Sequence, residues 1–492
     1  MLSRRNFLMT SSAFVASPIS LSSAQSEPPT ILKLKRRTIE VNGKAASVYG
    51  IQQPNGRYGL TTDINTVFNV RVENELDEPS LIHWHGLTPP SNEDGVPGVS
   101  GPAIPAHGSI NYQFPLNFSG TYWMHSHYGL QEQALMTAPL IIRDPKHYPD
   151  RQEVVVMLSD FSFTPAEEIF AKLKNSGNKD NKTSMSGDMG HMDMGHDMPA
   201  HQGMAMNHNM SNPQAMTMDM EMADLNDVAY DAYLANERSL SDPEIFNVEK
   251  DARILLRIIN AAAMSAFHVD MGEIDAQLVA VDGQDVNPII DRRFPIVAGQ
   301  RLDLIIDLPG SGKAFPVFFI LEGERKRTGV ILAQPNAPIA RFDETAKENT
   351  PAVNLDLEMR LKAKTPLATR KADRSYALDL TGDMASYVWS INNIVWNKDT
   401  PPLPIVKNER VEIALTNRTM MPHPMHLHGH RFQVVEIDNM RISGAVRDTI
   451  LVPPKTRVVI AFDADNPGSW AFHCHLAYHM HSGMFTTFKY TS

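Results

Sequence analysis

Four short stretches of this chain carry histidines at alternate positions: His83-Trp84-His85, His125-Ser126-His127, His423-Pro424-Met425-His426-Leu427-His428 and His473-Cys474-His475. Residues i and i+2 of a strand project from one face, so each pair can aim two imidazoles at one point. A single pair could simply share a polar sheet face. Four pairs point to metal, and imidazole suits copper, zinc, iron and nickel. Cys474, the only cysteine, narrows the choice. Two histidines, one thiolate and a weak axial methionine make the blue-copper electron-transfer arrangement, and His423, Cys474, His479 and Met484 supply that set. A cysteine nucleophile needs one histidine as base, and a buried inert cysteine needs none; neither accounts for the other clusters. On a strand, Cys474 faces one way and His473 and His475 the other, so one tripeptide can join two metal sites. Eight cluster histidines remain, six for a pair of metals and two for a third. That makes four one-electron centres, and reduction of O2 to two waters takes four electrons.

The segments that carry these residues recur. VFNVRVENELDEPSLIHWHGL (67–87), ILLRIINAAAMSAFHVDMG (254–272) and VEIALTNRTMMPHPMHLHG (411–429) each give an alternating apolar strand, an asparagine (Asn74, Asn260, Asn417), a polar stretch and a second short strand. IPAHGSINYQF (from 104), PIVAGQRLDLII (from 295) and VPPKTRVVIAF (from 452) each lead from a proline-containing turn into an alternating strand. GTYWMHSH from Gly120 matches GSWAFHCH from Gly468. Short strands between turns, repeated three times, predict an all-β chain of three consecutive β-sandwich domains. Their expected limits are 27–146, 150–335 and 350–492, with a linker at 336–352. Ser126 fills in the first domain the slot of Cys474 in the third, and Gln131 that of His479. The second domain has His268-Val269-Asp270 at the paired-histidine position, so it is expected to be structural and His268 to be no ligand.

The 492 residues carry a formal net charge of −11, which argues against nucleic acid as a partner and suits a cation. Arg4 and Arg5 precede a modest apolar stretch and the small residues Ser22-Ser23-Ala24, the pattern of a twin-arginine export signal over 1–24 that implies a periplasmic protein. No later stretch reaches about 18 uninterrupted apolar residues, so no membrane span is expected.

Taken together, HWHG, HSH, HPMHLHG and HCHLAYHMHSGM resemble, in order, the signatures of the multicopper oxidases, the family of laccases, ascorbate oxidases and bacterial cuprous oxidases. The resemblance implies three cupredoxin-like Greek-key domains, four copper ions and O2 as electron acceptor. Carried over position by position, it gives a type 1 copper to His423, Cys474, His479 and Met484, and a type 2 copper to His83 and His426. A type 3 pair falls to His85, His125, His127, His428, His473 and His475, while His430 and His481 lie outside the ligand pattern. TMMPHPMHLHG, YDAYLANERSL and AVDGQDV are similar to the periplasmic copper-resistance oxidases. Asp94, nine residues after His85, matches a family carboxylate that can relay protons to reduced oxygen, although Asp94-Gly95 also reads as a turn. Many bacterial members have a glutamate directly after the second type 1 histidine. Here it is Met480, so proton delivery on that side needs another group. Met421 matches a family methionine at the cuprous substrate site, whose neighbouring carboxylate is replaced here by Thr419. Met420 and Met425 read equally well as core residues.

The tract 185–222, from Met185 to Met222, holds twelve methionines and four histidines and has no Lys, Arg, Leu, Ile, Val or aromatic residue. It cannot pack a sheet, and its composition predicts a disordered insertion in the second domain. A passive linker gains nothing from an apolar, easily oxidised side chain. Thioethers are soft and select Cu(I), so the tract reads as a Cu(I)-collecting loop. The leading expectation is a periplasmic, monomeric oxidase of Cu(I) that contributes to copper tolerance. The rivals are a laccase-like oxidase of phenols or other metal ions, and a non-enzymatic copper-sequestering protein.

Overall fold

The computed structural model describes residues 28–183 and 225–491, apart from the side chains of 176–183. The segment 1–24, expected to be an export signal, and the methionine tract 185–222 lie outside the described residues. Among the described residues, six β-sheets form three successive pairs, each pair a sandwich, and the three share a common core strand order to which the second and third domains add strands. In the first, Thr30–Val41 runs parallel to Val67–Asn74, which pairs antiparallel with Ser109–Pro115. The same parallel join recurs between Gln152–Phe161 and Arg253–Asn260, and between Arg374–Asp383 and Arg410–Asn417. Side chains along Val67–Asn74 and Arg410–Asn417 are buried at every second position, as a half-buried strand requires. In the first domain the apolar core lies between the two sheets, with Phe68 and Val70 from one against Trp84 and Leu140 from the other. The cores of the second and third domains are continuous.

The repeated asparagine is a structural pin. Asn74, Asn260 and Asn417 are all buried, and the side-chain oxygen of each accepts the backbone N–H two residues on: Leu76 at 3.1 Å, Ala262 at 3.1 Å and Thr419 at 2.9 Å. This is the Asx turn. The amide nitrogen of each donates to carbonyls across the turn, Asn417 to Met421 at 2.7 Å and to Val452 at 2.9 Å. The turn thus ends one strand and fixes where the next begins. In the first and third domains that next strand carries histidines.

Outside the sheets, helix Ala166–Thr183 leads from the second domain into the methionine tract. Among the described residues, no helix is long and apolar enough to cross a membrane. Glu322, at the end of strand Ala314–Leu321, ties the second domain to the segment leading into the third by accepting the Val353 N–H at 2.6 Å. Its side chain is buried, and that burial pushes the carboxyl up to about 7 from an ordinary 4.5. A raised carboxyl stabilises the fold fully below about 4.5, and that contribution is lost as pH rises through 7. The loss amounts to about 3 kcal/mol, at ~1.4 kcal/mol per unit. Glu322→Gln keeps an acceptor for Val353 and cannot ionise. Its melting temperature relative to the native chain should rise between pH 5 and pH 8; a difference that does not change with pH would contradict this account.

Candidate metal centres

The third domain gathers four of the singled-out residues at the end of one strand pair. His423 opens strand His423–Leu427, which pairs antiparallel with Ser469–Cys474 so that Met425 lies opposite Cys474. The helical turn Ala477–His481 then brings His479 back to the thiol. Cys474 Sγ lies 3.6 Å from His423 Nδ1 and 3.9 Å from His479 Nδ1. Met484 is fully buried; its carbonyl accepts the Cys474 N–H and its own N–H donates to the His479 carbonyl, both at 3.1 Å.

Each imidazole of this cluster is held from behind. His479 Nε2 donates to Asp227 Oδ2 at 2.9 Å, and His423 Nε2 donates to Thr419 Oγ1 at 2.8 Å. Those acceptors set the tautomers, so both Nδ1 atoms are lone pairs, and they face each other at 3.2 Å. Two lone pairs in contact repel unless a cation lies between them. The Trp389 ring walls the cluster, with its centroid 4.2 Å from that of His479. Burial pushes the Cys474 thiol up, so without a metal it is neutral, and it is closed to solvent. A buried neutral thiol is no nucleophile. Imidazoles beside a thiolate suit copper. In the first domain the equivalent slots are filled by a hydrogen bond, Ser126 Oγ to Gln131 Oε1 at 2.8 Å.

The remaining eight histidines meet where the first and third domains abut. Strand Ile82–His85 pairs antiparallel with Gly120–Ser126, placing His83 opposite His125, just as His426 lies opposite His473. Facing each other, the two pairs form a cage. His83 Nε2 is 3.5 Å from His426 Nε2, and His428 Nε2 is 2.9 Å from His473 Nε2. Here four of the outward nitrogens are satisfied. His83 Nδ1 donates to Asp94 O, His428 Nδ1 to Asp94 Oδ2, His426 Nδ1 to Asp448 O and His473 Nδ1 to Cys474 O, each at 2.9 Å. His85 is turned the other way: its Nε2 donates to Asp448 Oδ1 at 3.2 Å, leaving Nδ1 buried with no hydrogen-bond partner among the described residues. His125 Nε2, His127 Nε2 and His475 Nε2 are likewise buried and unpartnered. Burial, then the charge of neighbouring rings, holds His125, His127, His428, His473 and His475 well below the usual histidine range. Neutral imidazoles with inward lone pairs are the form that binds metal.

Three functional candidates were not singled out from the sequence. Asp448 carries His85 and His426. Glu132 lies with Oε2 2.9 Å from His125 Nδ1 and Oε1 3.8 Å from His475 Nδ1, and burial raises its carboxyl to about 8. Asp227 backs His479, and its position five residues after Met222 was the one local signal among the three. The other singled-out residues fall where follows. Asp94 is fully buried against His83 and His428. His430 is buried against the Tyr490 hydroxyl at 2.7 Å, His481 is exposed, and His268 donates to the Pro351 carbonyl at 3.0 Å. Met421 and Met425 are buried, but Met420, read above as equally a core residue, is 46% exposed. It follows the strand end by three residues, where the chain turns outward.

Three multicopper oxidase family profiles match residues 33–147, 152–334 and 370–492. The chain is 30% identical to the multicopper oxidase MmcO of Mycobacterium tuberculosis, covering 86% of this chain and 79% of that protein. It is 28% identical to copper resistance protein A of Escherichia coli, over 85% of each. The crystal structure of the laccase from Botrytis aclada superposes with a TM-score of 0.71 at 20% identity, over 94% of this chain and 88% of that one. Family matches over most of the chain agree with two histidine-rich sites that fit copper, and the chain belongs to the multicopper oxidases.

Proposed function

We propose that this oxidase works in the periplasm, reached by the twin-arginine segment, and oxidises Cu(I) to Cu(II), contributing to copper tolerance. Four copper ions are assigned to its two sites. A type 1 ion takes His423, Cys474, His479 and Met484, and a type 2 ion takes His83 and His426. The type 3 pair takes His85, His125, His127, His428, His473 and His475. When bound, these ions supply the one-electron steps and the reduction of O2, with four Cu(I) oxidised and four protons taken up for each pair of waters formed.

The protein residues do the rest. Asp227 and Thr419 hold His479 and His423 with Nδ1 toward the thiol. Cys474 connects through two peptide bonds to His473 and His475, so the mononuclear site and the cage are joined by covalent structure. Asp94 positions His83 and His428 through its carbonyl and Oδ2. Among the described residues its Oδ1 is buried without a hydrogen bond of good geometry, and in this reading protons pass into the cage by way of that atom.

The observation that carries the cuprous reading is where the methionine tract is tethered. On its entering side, Phe170 of helix Ala166–Thr183 lies with its ring 5.9 Å from Tyr478 and 5.1 Å from His481, the neighbours of His479. On its leaving side, Asp227 accepts from His479 itself. The two described segments that flank the twelve-methionine tract in the chain thus both pack at one proposed type 1 ligand, and Met420 adds an exposed thioether three residues before another. Deletion of 185–222 tests the reading. Oxygen uptake with Cu(I) should fall about tenfold or more, the scale of losing part of a metal site, while uptake with a phenol is kept or rises. Unchanged cuprous turnover would remove the tract from the mechanism and favour a laccase-like oxidase.

A further inference from the structure

The second domain supplies none of the ligands proposed for the four resident coppers, yet its segment Gly299-Gln300-Arg301 reaches the cage. Gly299 has a positive φ of 85°, and a Cβ there would come within 2.9 Å of the His475 ring and 3.3 Å of His85. Gln300 Nε2 donates to the Thr449 carbonyl at 3.2 Å. Arg301 opens strand Arg301–Asp307 and is fully buried, although an isolated guanidinium is among the costliest groups to remove from water. Its donors are spent on all three domains. Nε donates to the Thr121 carbonyl of the first at 3.1 Å, and Nη1 to the Gly299 carbonyl of the second at 3.0 Å. Nη1 and Nη2 form a fork onto both carboxylate oxygens of Asp448 in the third, at 2.7 and 2.5 Å.

That fork decides what Asp448 can do. With a guanidinium N–H on each of its oxygens, Asp448 faces His85 as an acceptor: Oδ1 takes His85 Nε2 at 3.2 Å and the Thr449 hydroxyl at 2.9 Å. With Nε2 so engaged, the Nδ1 lone pair of His85 turns inward. The site also makes room for the guanidinium. A Cβ on Gly86, in the HWHG motif, would sit 2.3 Å from Arg301 Nη2 and 2.8 Å from Asp448 Oδ2, and its φ of 88° disfavours any other residue.

We propose that Arg301 is a positioning residue of the histidine cage: by clamping Asp448 it fixes His85 with Nδ1 inward, so the second domain sets how tightly the cage holds metal. This rests on the assignment of the cage to copper. The native chain is therefore titrated first with a copper chelator, and a cage that holds no copper there would refute that assignment rather than the role of Arg301. Arg301→Met removes the clamp. Arg301→Lys keeps the charge, and with it the fold, but replaces the fork by a single ammonium. Cage copper should be lost to chelator at about 10- to 100-fold lower chelator concentration in both variants, the usual cost of losing an outer partner of a metal ligand. The blue absorbance of the Cys474 site should stay unchanged in the same samples. Should the methionine variant fail to fold, the lysine variant alone decides. Adding Arg301→Lys to Asp448→Asn should weaken the cage no further than Asp448→Asn alone. Cage affinity within twofold of the native chain, an equal loss at both sites, or additive losses in the double variant would each overturn the proposal.

Discussion

Cys474→Ser should leave a folded, colourless protein that holds copper in its histidine cage and reduces almost no oxygen. Serine is close in size to cysteine, and the site is buried within the core, so packing is nearly preserved. Its hydroxyl can still face His423 Nδ1 and His479 Nδ1, which stand 3.6 and 3.9 Å from the present sulfur. What disappears is the soft thiolate, and with it the strong absorption near about 600 nm that marks a blue-copper site. No other cysteine can take its place. Turnover should fall by more than the ~10–100-fold that loss of an outer partner costs a metal site, because the link from one site to the other is cut at its first atom. Copper analysis, absorbance and oxygen uptake on one preparation check all three points. A variant that stayed blue, or kept a tenth of its oxygen uptake with Cu(I) or a phenol, would mean that electrons do not enter through Cys474.

The ligand candidates were legible because strands impose a period of two, and a motif such as His-x-His is complete within three residues. The clusters at His83, His125, His426 and His473 thus announced themselves. So did the threefold repeat, since Asn74, Asn260 and Asn417 perform one local task in each domain. The groups that hold those histidines were harder to see. Asp448 and Arg301 meet across more than a hundred residues, Asp448 reaches His85 from another domain, and Glu132 lies between His125 of its own domain and His475 of the third. Nothing in RDTIL, LQEQA or GQRLDL marks the acidic or basic residue as buried. A charge in a sequence reads as surface until its partner is known, and here the partners come from three domains. The expectation of a structural second domain was drawn under the same limit. It rested on the absence of paired histidines, whereas the contribution of that domain to the cage is one glycine, one glutamine and one buried guanidinium.

Asp94→Asn should separate positioning from proton transfer. Asparagine has the same shape, and the Asp94 carbonyl that accepts from His83 Nδ1 at 2.9 Å belongs to the backbone, so it is unaffected. The amide oxygen can take over acceptance from His428 Nδ1, now at 2.9 Å from Oδ2. The amide nitrogen then occupies the place of Oδ1, the atom without a good hydrogen bond, and it can neither hold nor release a proton at neutral pH. Copper content and blue colour should therefore match the native protein, and Cu(I) should bleach the blue band at the native rate, because that step lies before the cage. Oxygen uptake should fall by about 10²- to 10⁴-fold, the usual contribution of a positioned acid. Recovery of the blue colour on adding oxygen to the reduced protein should slow by the same factor. Asp94→Glu, which restores an ionisable group on a longer arm, should regain part of the rate at unchanged copper content. Uptake within threefold of native in the asparagine variant would assign Asp94 a positioning role alone. Glu132, another buried carboxyl touching the cage, would then be the next group to replace, since it contacts histidines of both domains where Met480 offers no acid.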